Sequence, residues 1–463
     1  SAMPRLRVCS PMSRFSAAVR HRKMQEHFFA LADSIPSQLK AGEGFLARFS
    51  GETSDFVRFN RSAVRQAGAV EQRYLTLDLT RGRRHASQTL SLSGNHDADG
   101  AAVSAAVTGL RDVLGDAPED PHFLVNTVPQ STTRSVPSAL PAADEGVDAV
   151  LRAGAGHDMV GIYAAGPIHH GFANNLGQQN WDTVQAFNID LSFFLHGDRA
   201  VKMSHAGTDW NAAVFAAKAD AAKAQLSALA RPAKTIAPGG CRVYLAPAAM
   251  KEVMDMLCWG GFGLADHRTA TTPLIRMVER GATLNPLVTL TENSRDGLAP
   301  GFQEEGFVKP DQITLINSGA YKDCLVSPRS AAEFGESQNG ANGSETPSAL
   351  DMSAGALPSA KALRTLGTGV YIGNLWYLNY SDRNACRLTG MTRFATFWVE
   401  GGEIIAPLNV MRFDDTLYRI LGSNLEALTL ERDLLVSSDT YDARSTRSMH
   451  LPGAIVEDFR LTL

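Results

Sequence analysis

Residues 45–92 read FLARFSGETSDFVRFNRSAVRQAGAVEQRYLTLDLTRGRRHASQTLSL. Apolar and polar residues alternate along this stretch, and turn signals punctuate it at Gly51-Glu52, Asn60-Arg61 and Arg81-Gly82. Successive side chains of a strand point to opposite faces, so the pattern predicts an antiparallel meander with one wet face. Upstream, residues 24–41 place Phe28, Phe29, Leu31, Ala32 and Ile35 at helical spacing, with Pro36 kinking or ending that helix. Downstream, a second helix from about Ala98 to Leu114 carries Val103, Val107, Leu110 and Leu114 and stops at Gly115. A helix, a meander and a helix make a two-layer α+β unit.

The rest of the chain continues in that mixed style. Residues 116–141 are rich in Pro, Ser and Thr and read as a connector, followed by a short helix near 142–153. Strand-like text recurs at Met159–Ala165, Ile168–Phe172, Phe187–Leu195 and Ala200–Ser204, and an Ala-rich helix covers 210–230. Past Pro238-Gly239-Gly240 come a strand (Cys241–Ala246), a helix (Pro247–Leu257) and a long run of short strands and Gly turns. The fold class expected is α+β, with an N-terminal helix-plus-antiparallel-sheet region and a mostly β C-terminal domain. The divisions expected are a leader over 1–23, an α+β domain over 24–118, a central α+β region over 119–236 and a β-rich domain over 237–463. Residues 335–358 are low in complexity and form either a mobile loop or an ordered functional one.

Composition excludes several function classes. The formal charge is only −4 over 463 residues, without the basic stripe of a nucleic-acid surface. Every long apolar run is interrupted by charge, Gly or Pro before it could cross a bilayer. Five cysteines (Cys9, Cys241, Cys258, Cys324, Cys386) form no CxxC pair and read as reduced thiols of a cytoplasmic protein. Ser1-Ala2-Met3 read as a cloning remnant, and the basic segment 5–23 lacks the apolar centre of a secretory signal, which leaves Met24 as the natural start.

Two stretches resemble the TldD/TldE (PmbA) metallopeptidase family. The first is FSGETSDFVRFNRSAVRQAGAVEQRYLTLDL (49–79), in which Arg58-Phe59 and Val64-Arg65 match an R-F-x-x-x-x-V-R hallmark. The second is TRFATFWVEGGEIIAPLNVMRFDDTLYRILGSNLEAL (392–428), followed by Leu451-Pro452-Gly453. The resemblance spans about residue 27 to 463 at low similarity, and these segments are its specific part. It implies an N-terminal α+β region, a largely β C-terminal domain, and two chains paired around a peptide-binding chamber. In members that cut, it implies a strand and helix bearing His-Glu-x-x-x-His, with a third zinc ligand from a cysteine near the chain end.

The equivalent segment here is CRVYLAPAAMKEVMDMLCWGG (241–261), where Lys251 and Met256 stand at the histidine positions and Glu252 alone matches. No histidine lies between His205 and His267, and no cysteine follows Cys386. Zinc takes three or four N, S or O donors, and a protonated lysine has no lone pair to give. The reading is therefore no catalytic residue and no metal in this chain, with zinc expected in a TldD-like partner.

Other candidate chemistry is sparser. His169-His170 are adjacent and would face opposite sides of a strand. His267 follows a Gly-rich run and is either a functional or a structural histidine. Cys258 and Cys324 read as small buried hydrophobes. Cys386 would need Arg383 or Arg387 to lower its pKa, and a base that the sequence does not identify. GNLWYLNYSDRNACRLTG (373–390) supplies the peptide-groove candidates Asn374, Trp376, Tyr377, Tyr380, Asp382, Arg383 and Arg387. An extended peptide can add to such a strand edge through backbone hydrogen bonds, and the same aromatics also suit a core and a charged turn.

Three functions remain open from sequence. One is a TldE/PmbA-like subunit that completes the chamber of a cytosolic peptide-hydrolysing complex with a zinc-bearing TldD-like subunit. Another is a metal-free homodimer, a second copy of itself serving as partner, that binds an extended peptide or protein without cutting it. The last is an independent hydrolase with an unrecognised site.

Overall fold

The computed structural model describes residues 14–463, with side chains from Arg22 onward. The leader expected over 1–23 lies outside the described residues as far as residue 13, and from Arg14 the chain is helical. Helix α1 (Arg14–Ser34) buries Met24, Phe28, Leu31 and Ala32, and ends before a 3-10 turn opened by Pro36.

Strands β1 (Glu43–Asn60), β2 (Ala63–Arg81) and β3 (Arg84–Ser91) form the expected meander. One expected turn is absent. At Gly51-Glu52 the strand runs straight on, paired with β2 on one side and with β5 (Asp158–Asn174) on the other. Gly51 serves close packing there, since an added Cβ would stand 2.9 Å from the Phe49 ring and 3.1 Å from the Gln72 carbonyl oxygen.

Helix α2 (His96–Asp116) is capped by the Asn95 side chain, which accepts from the Ala98 amide. The connector over 116–141 contributes a short strand, β4 (Thr132–Ser135), parallel to β6 (Gln179–His196). Helix α3 (Ala143–Gly154) precedes β5, which runs unbroken through the two strands expected at 159–172. Gly166 and Pro167 lack partners in β1, so a proline without an N–H is tolerated at that point. Strand β7 (Arg199–Gly207) and helix α4 (Ala212–Leu229) complete the half. The seven strands run in the order β3-β2-β1-β5-β6-β4, with β7 on β6, so segments from both sides of residue 118 share one sheet.

Strand parity assigns the faces of this sheet. Phe45, Ala47 and Phe49 of β1 pack with α1 and α2, and Val57 and Phe59 pack in a second core with α3 and α4. Leu46 of β1 and Phe172 of β5 point the other way and meet Phe302 from the C-terminal half. The two halves of the chain meet on that second face, and they meet again in the core of Val57 and Phe59, which takes in Ala395 and Phe397 of the C-terminal half.

The C-terminal half contains β8 (Gly239–Leu245), α5 (Pro247–Cys258), α6 (Leu264–Arg268), α7 (Ile275–Arg280), β9 (Leu290–Asn293), β10 (Gln312–Asn317) and β11 (Ala320–Tyr321). It continues with α8 (Pro328–Phe334), β12 (Ala349–Met352), α9 (Ala362–Leu366), β13 (Gly369–Asp382), β14 (Arg387–Glu400), β15 (Glu403–Pro407), β16 (Arg412–Thr416), β17 (Leu425–Val436) and β18 (Ser448–Leu461). Its eleven strands form one sheet in which β18 pairs with β8, β12, β16 and β17. The β8–β18 pairing closes a circuit through β13, β14 and β16, and the buried face of α5 fills the core beside it with Met250, Val253, Met254 and Leu257. Residues 335–358 are packed in place: the buried Glu345 accepts from the Ser327 amide at 2.7 Å and the Ala265 amide at 2.9 Å, and β12 joins the sheet. The architecture is α+β.

Candidate functional site

Pro247 starts α5 at a position where its missing N–H costs nothing. Helical spacing then sends Met250, Val253, Met254 and Leu257 into the core and leaves Lys251, Glu252 and Asp255 on the half-buried opposite face. Lys251 Nζ lies 2.5 Å from Asp255 Oδ2, one turn along, and Arg447 approaches Asp255 from a distant loop at 3.8 Å. Burial pushes the Glu252 carboxyl above its ordinary value, and the adjacent Lys251 ammonium opposes that shift. Met256 is only 8 % exposed and belongs to the core. An ammonium cannot donate to a cation, and a thioether packed among aliphatic side chains is a poor stand-in for an imidazole. Among the described residues, no three His, Cys, Asp or Glu side chains group closely enough to hold a metal ion.

The β13–β14 hairpin passes α5 from Ile372, whose carbonyl accepts from the Ala246 amide just before the helix, to Tyr380 at its last turn, and it separates the seven groove candidates into two kinds. Tyr380 donates its hydroxyl to the Met256 carbonyl oxygen at 2.7 Å. Arg383 donates to the Trp259 carbonyl at 2.8 Å and the Thr271 carbonyl at 2.7 Å, and its guanidinium lies 5.2 Å from the Trp259 ring centre and 4.9 Å from that of Tyr380. Arg387 pairs with Asp414 at 2.8 Å, and Asp382 accepts from the Ala385 amide. These four side chains are committed to internal contacts. Trp376 and Tyr377 are 48 % and 76 % exposed, at a register shift that interrupts pairing between Trp376 and Asn379. Arg393, which pairs with Asn374 across the hairpin, stacks its guanidinium 4.8 Å from the Trp376 ring.

Sequence reasoning missed the clefts between the two halves. One, of about 500 Å³, lies between Arg48, Tyr74, His170 and Phe172 of the N-terminal sheet and the loop carrying Phe302, Gln303 and Glu304. A second, of about 430 Å³, shares that loop and continues to Lys309, Ser348 and Arg447. The loop is pinned by Arg134, which bonds Asp182 at 2.6 Å, the Ser294 carbonyl at 2.9 Å and the Ala299 carbonyl. Arg444 reaches from the loop before β18 into the same sheet face, donating to the Gly166 carbonyl at 3.0 Å and the Ala186 carbonyl at 2.6 Å. No periodic signal marks these residues, because each cleft is assembled from segments far apart in the chain.

Residues 238–463 match the model of the PmbA/TldA metallopeptidase C-terminal domain. The chain belongs to the TldD/TldE (PmbA) metallopeptidase family. Solved structures with this fold include TldE from Thermococcus kodakarensis, with a TM-score of 0.77 and 12% identity over 94% of this chain and 100% of that one. A protein from Bacteroides thetaiotaomicron described as a modulator of DNA gyrase gives 0.73 and 12% over 96% and 99%. One from Thermotoga maritima with a like description gives 0.68 and 14% over 95% and 100%. No curated protein sequence matches the chain.

The remaining nucleophile and base candidates of this TldD/TldE-family chain are largely buried. Cys386 is fully buried, and burial pushes its thiol up to about 12, as it does for Cys258. Neither arginine in the hairpin offsets that, so the activated-thiol route fails on desolvation. His267 is held by its Nε2 against the Gly261 carbonyl at 2.9 Å, and burial lowers its pKa. His169 stacks on Trp181 at 5.6 Å on the helix-covered face, whereas His170 lines the cleft on the other face. Burial pulls His170 down to about 4, with Lys309 and Arg134 adding repulsion, so it is neutral at pH 7. Among the described residues, no helix is long and apolar enough to cross a membrane.

Proposed function

We propose that this chain is a TldE/PmbA-like subunit of a cytoplasmic peptide-hydrolysing complex. It carries no catalytic zinc of its own and pairs with a zinc-bearing TldD-like chain. The observation that carries the reading is α5, whose Lys251–Asp255 ion pair and core-packed Met256 occupy the motif positions where imidazoles would hold the metal. The partner would supply zinc, its bound water and the general base. This chain would complete the chamber and hold an extended peptide. The exposed Trp376 and Tyr377 of the hairpin, and the exposed Trp259 at the end of α5, support a role for these elements in meeting a second chain or the peptide.

The test is to mix the purified chain with a TldD-like partner and measure both mass and peptidase activity. A one-to-one complex with activity above that of the partner alone is the expected result. A stable dimer of this chain that binds peptide without turnover would favour the metal-free homodimer instead. Chelator-sensitive hydrolysis by this chain alone would overturn both readings.

A further inference from the structure

We propose that the cleft between the 299–304 loop and the 344–348 loop is an anion site, in which Lys309 and Arg447 together receive a carboxylate or phosphate group. Within the chamber reading the ligand is the C-terminal carboxylate of a bound peptide. That identity rests on the proposed function, whereas the anion chemistry does not.

Lys309 is half-buried on the cleft wall, yet its Nζ makes no hydrogen bond or ion pair with any described residue. Glu292, the acid that attracts Lys309 most, is already engaged by backbone: its carboxylate accepts from the Ser348 amide at 3.0 Å and the Ala349 amide at 3.1 Å. Glu304 also lines the cleft but is exposed and forms no ion pair with Lys309. The backbone is fixed, since the Lys309 amide donates to the Gly301 carbonyl at 2.9 Å. Behind it Gly340, at φ +76°, allows an approach that a Cβ would block at 2.9 Å from Lys309 Cα.

Arg447 lines the same cleft with its side chain 43% exposed, and its one acidic neighbour within ion-pair range, Asp255, stands at 3.8 Å. Ser344, Thr346, Ser348 and Thr446 add hydroxyl groups to the wall. An accessible ammonium that no described side chain hydrogen-bonds is free to pair with an anion entering the cleft, and such a charge-assisted bond is a strong one. Burial is the main cause that holds the Lys309 pKa below its ordinary value; repulsion from Arg134 adds to it, and attraction to Glu292, Asp182 and Glu304 opposes it without reversing it. At about 430 Å³ the cleft has room for a terminal residue with its carboxylate.

The experiment titrates the full chain with an N-acetylated hexapeptide bearing a free C-terminal carboxylate, with its C-terminal amide, and with inorganic phosphate. Wild type, Lys309→Met, Lys309→Arg and Arg447→Gln are compared. We expect the free acid to bind wild type about tenfold more tightly than the amide, the ratio to fall towards one in Lys309→Met and Arg447→Gln, and Lys309→Arg to keep it. Equal binding of acid and amide to wild type overturns the anion site and leaves the peptide reading standing. A preference that survives both Lys309→Met and Arg447→Gln overturns it as well. Binding of phosphate alone, lost in Lys309→Met, keeps the anion site and removes the peptide. Binding of none of the three overturns both.

Discussion

The Tyr380 hydroxyl donates across 2.7 Å to the carbonyl oxygen of Met256, in the last turn of α5. Arg383 reinforces the same helix end from the Trp259 carbonyl outward. The end of α5 is thus tied to the β13–β14 hairpin through backbone carbonyls. Tyr380→Phe should cost about 1 kcal/mol and Arg383→Met about 2–3 kcal/mol, the second losing two charge-assisted bonds and two ring contacts. Denaturant midpoints at constant m-value check this. Equal stability of all three proteins would contradict it.

Acid stability should depend on Glu43. Arg111 donates to both its oxygens at 2.8 Å, and this pair, with the Lys40 amide, lowers the Glu43 carboxyl to about 2 against the opposing effect of burial. A folded pKa below the unfolded one gives stability that is present above pH ~4.5 and lost as the pH falls towards about 2. Glu43→Gln should flatten the acid limb over that window, read from denaturation at stepped pH.

A second pH window belongs to His205, which packs among Phe187, Trp210 and Phe215. Burial is the main cause that lowers its pKa from 6.5 to about 4, so the unfolded chain binds the extra proton first. Stability should therefore decline as the pH falls from 6.5 towards 4, and His205→Phe should remove part of that slope. An unchanged slope in the variant would show that the ring is not held neutral.

Thiol chemistry offers a direct check on the packing. Cys241, Cys258 and Cys386 are each pushed up to about 12 by burial, and Cys324 is also raised. Under native conditions at pH 7.5–8, about where an unperturbed thiol starts to react, iodoacetamide should leave all four unmodified, and all should react in denaturant. Peptide mapping by mass spectrometry assigns the sites. Rapid native labelling of Cys386 would restore it as a reactive thiol.

How much of this was legible in sequence depends on the range of the interaction. The meander, both of its helices and the 247–257 helix follow from local periodicity, which needs only neighbours along the chain. Gly51 misled because a glycine that makes room for Phe49 and Gln72 looks the same in sequence as a glycine that turns the chain. Sequence alone does not decide between a mobile and an ordered 335–358 segment, because its order comes from remote partners, among them Ser327 and Glu292. Of the groove candidates, Tyr380 and Arg383 proved to have bonding partners more than 100 residues away, which no local pattern could reveal. Lys309 carried no signal, since its place in a cleft built from distant segments is a property of the folded molecule.

Elemental analysis of the chain purified alone, without added chelator, bears most directly on the central claim. The account predicts zinc far below one equivalent, unchanged in Lys251→Ala and Glu252→Gln. One equivalent of zinc in the wild type, lost when Glu252 is replaced, would place a working metal site on α5 and contradict it.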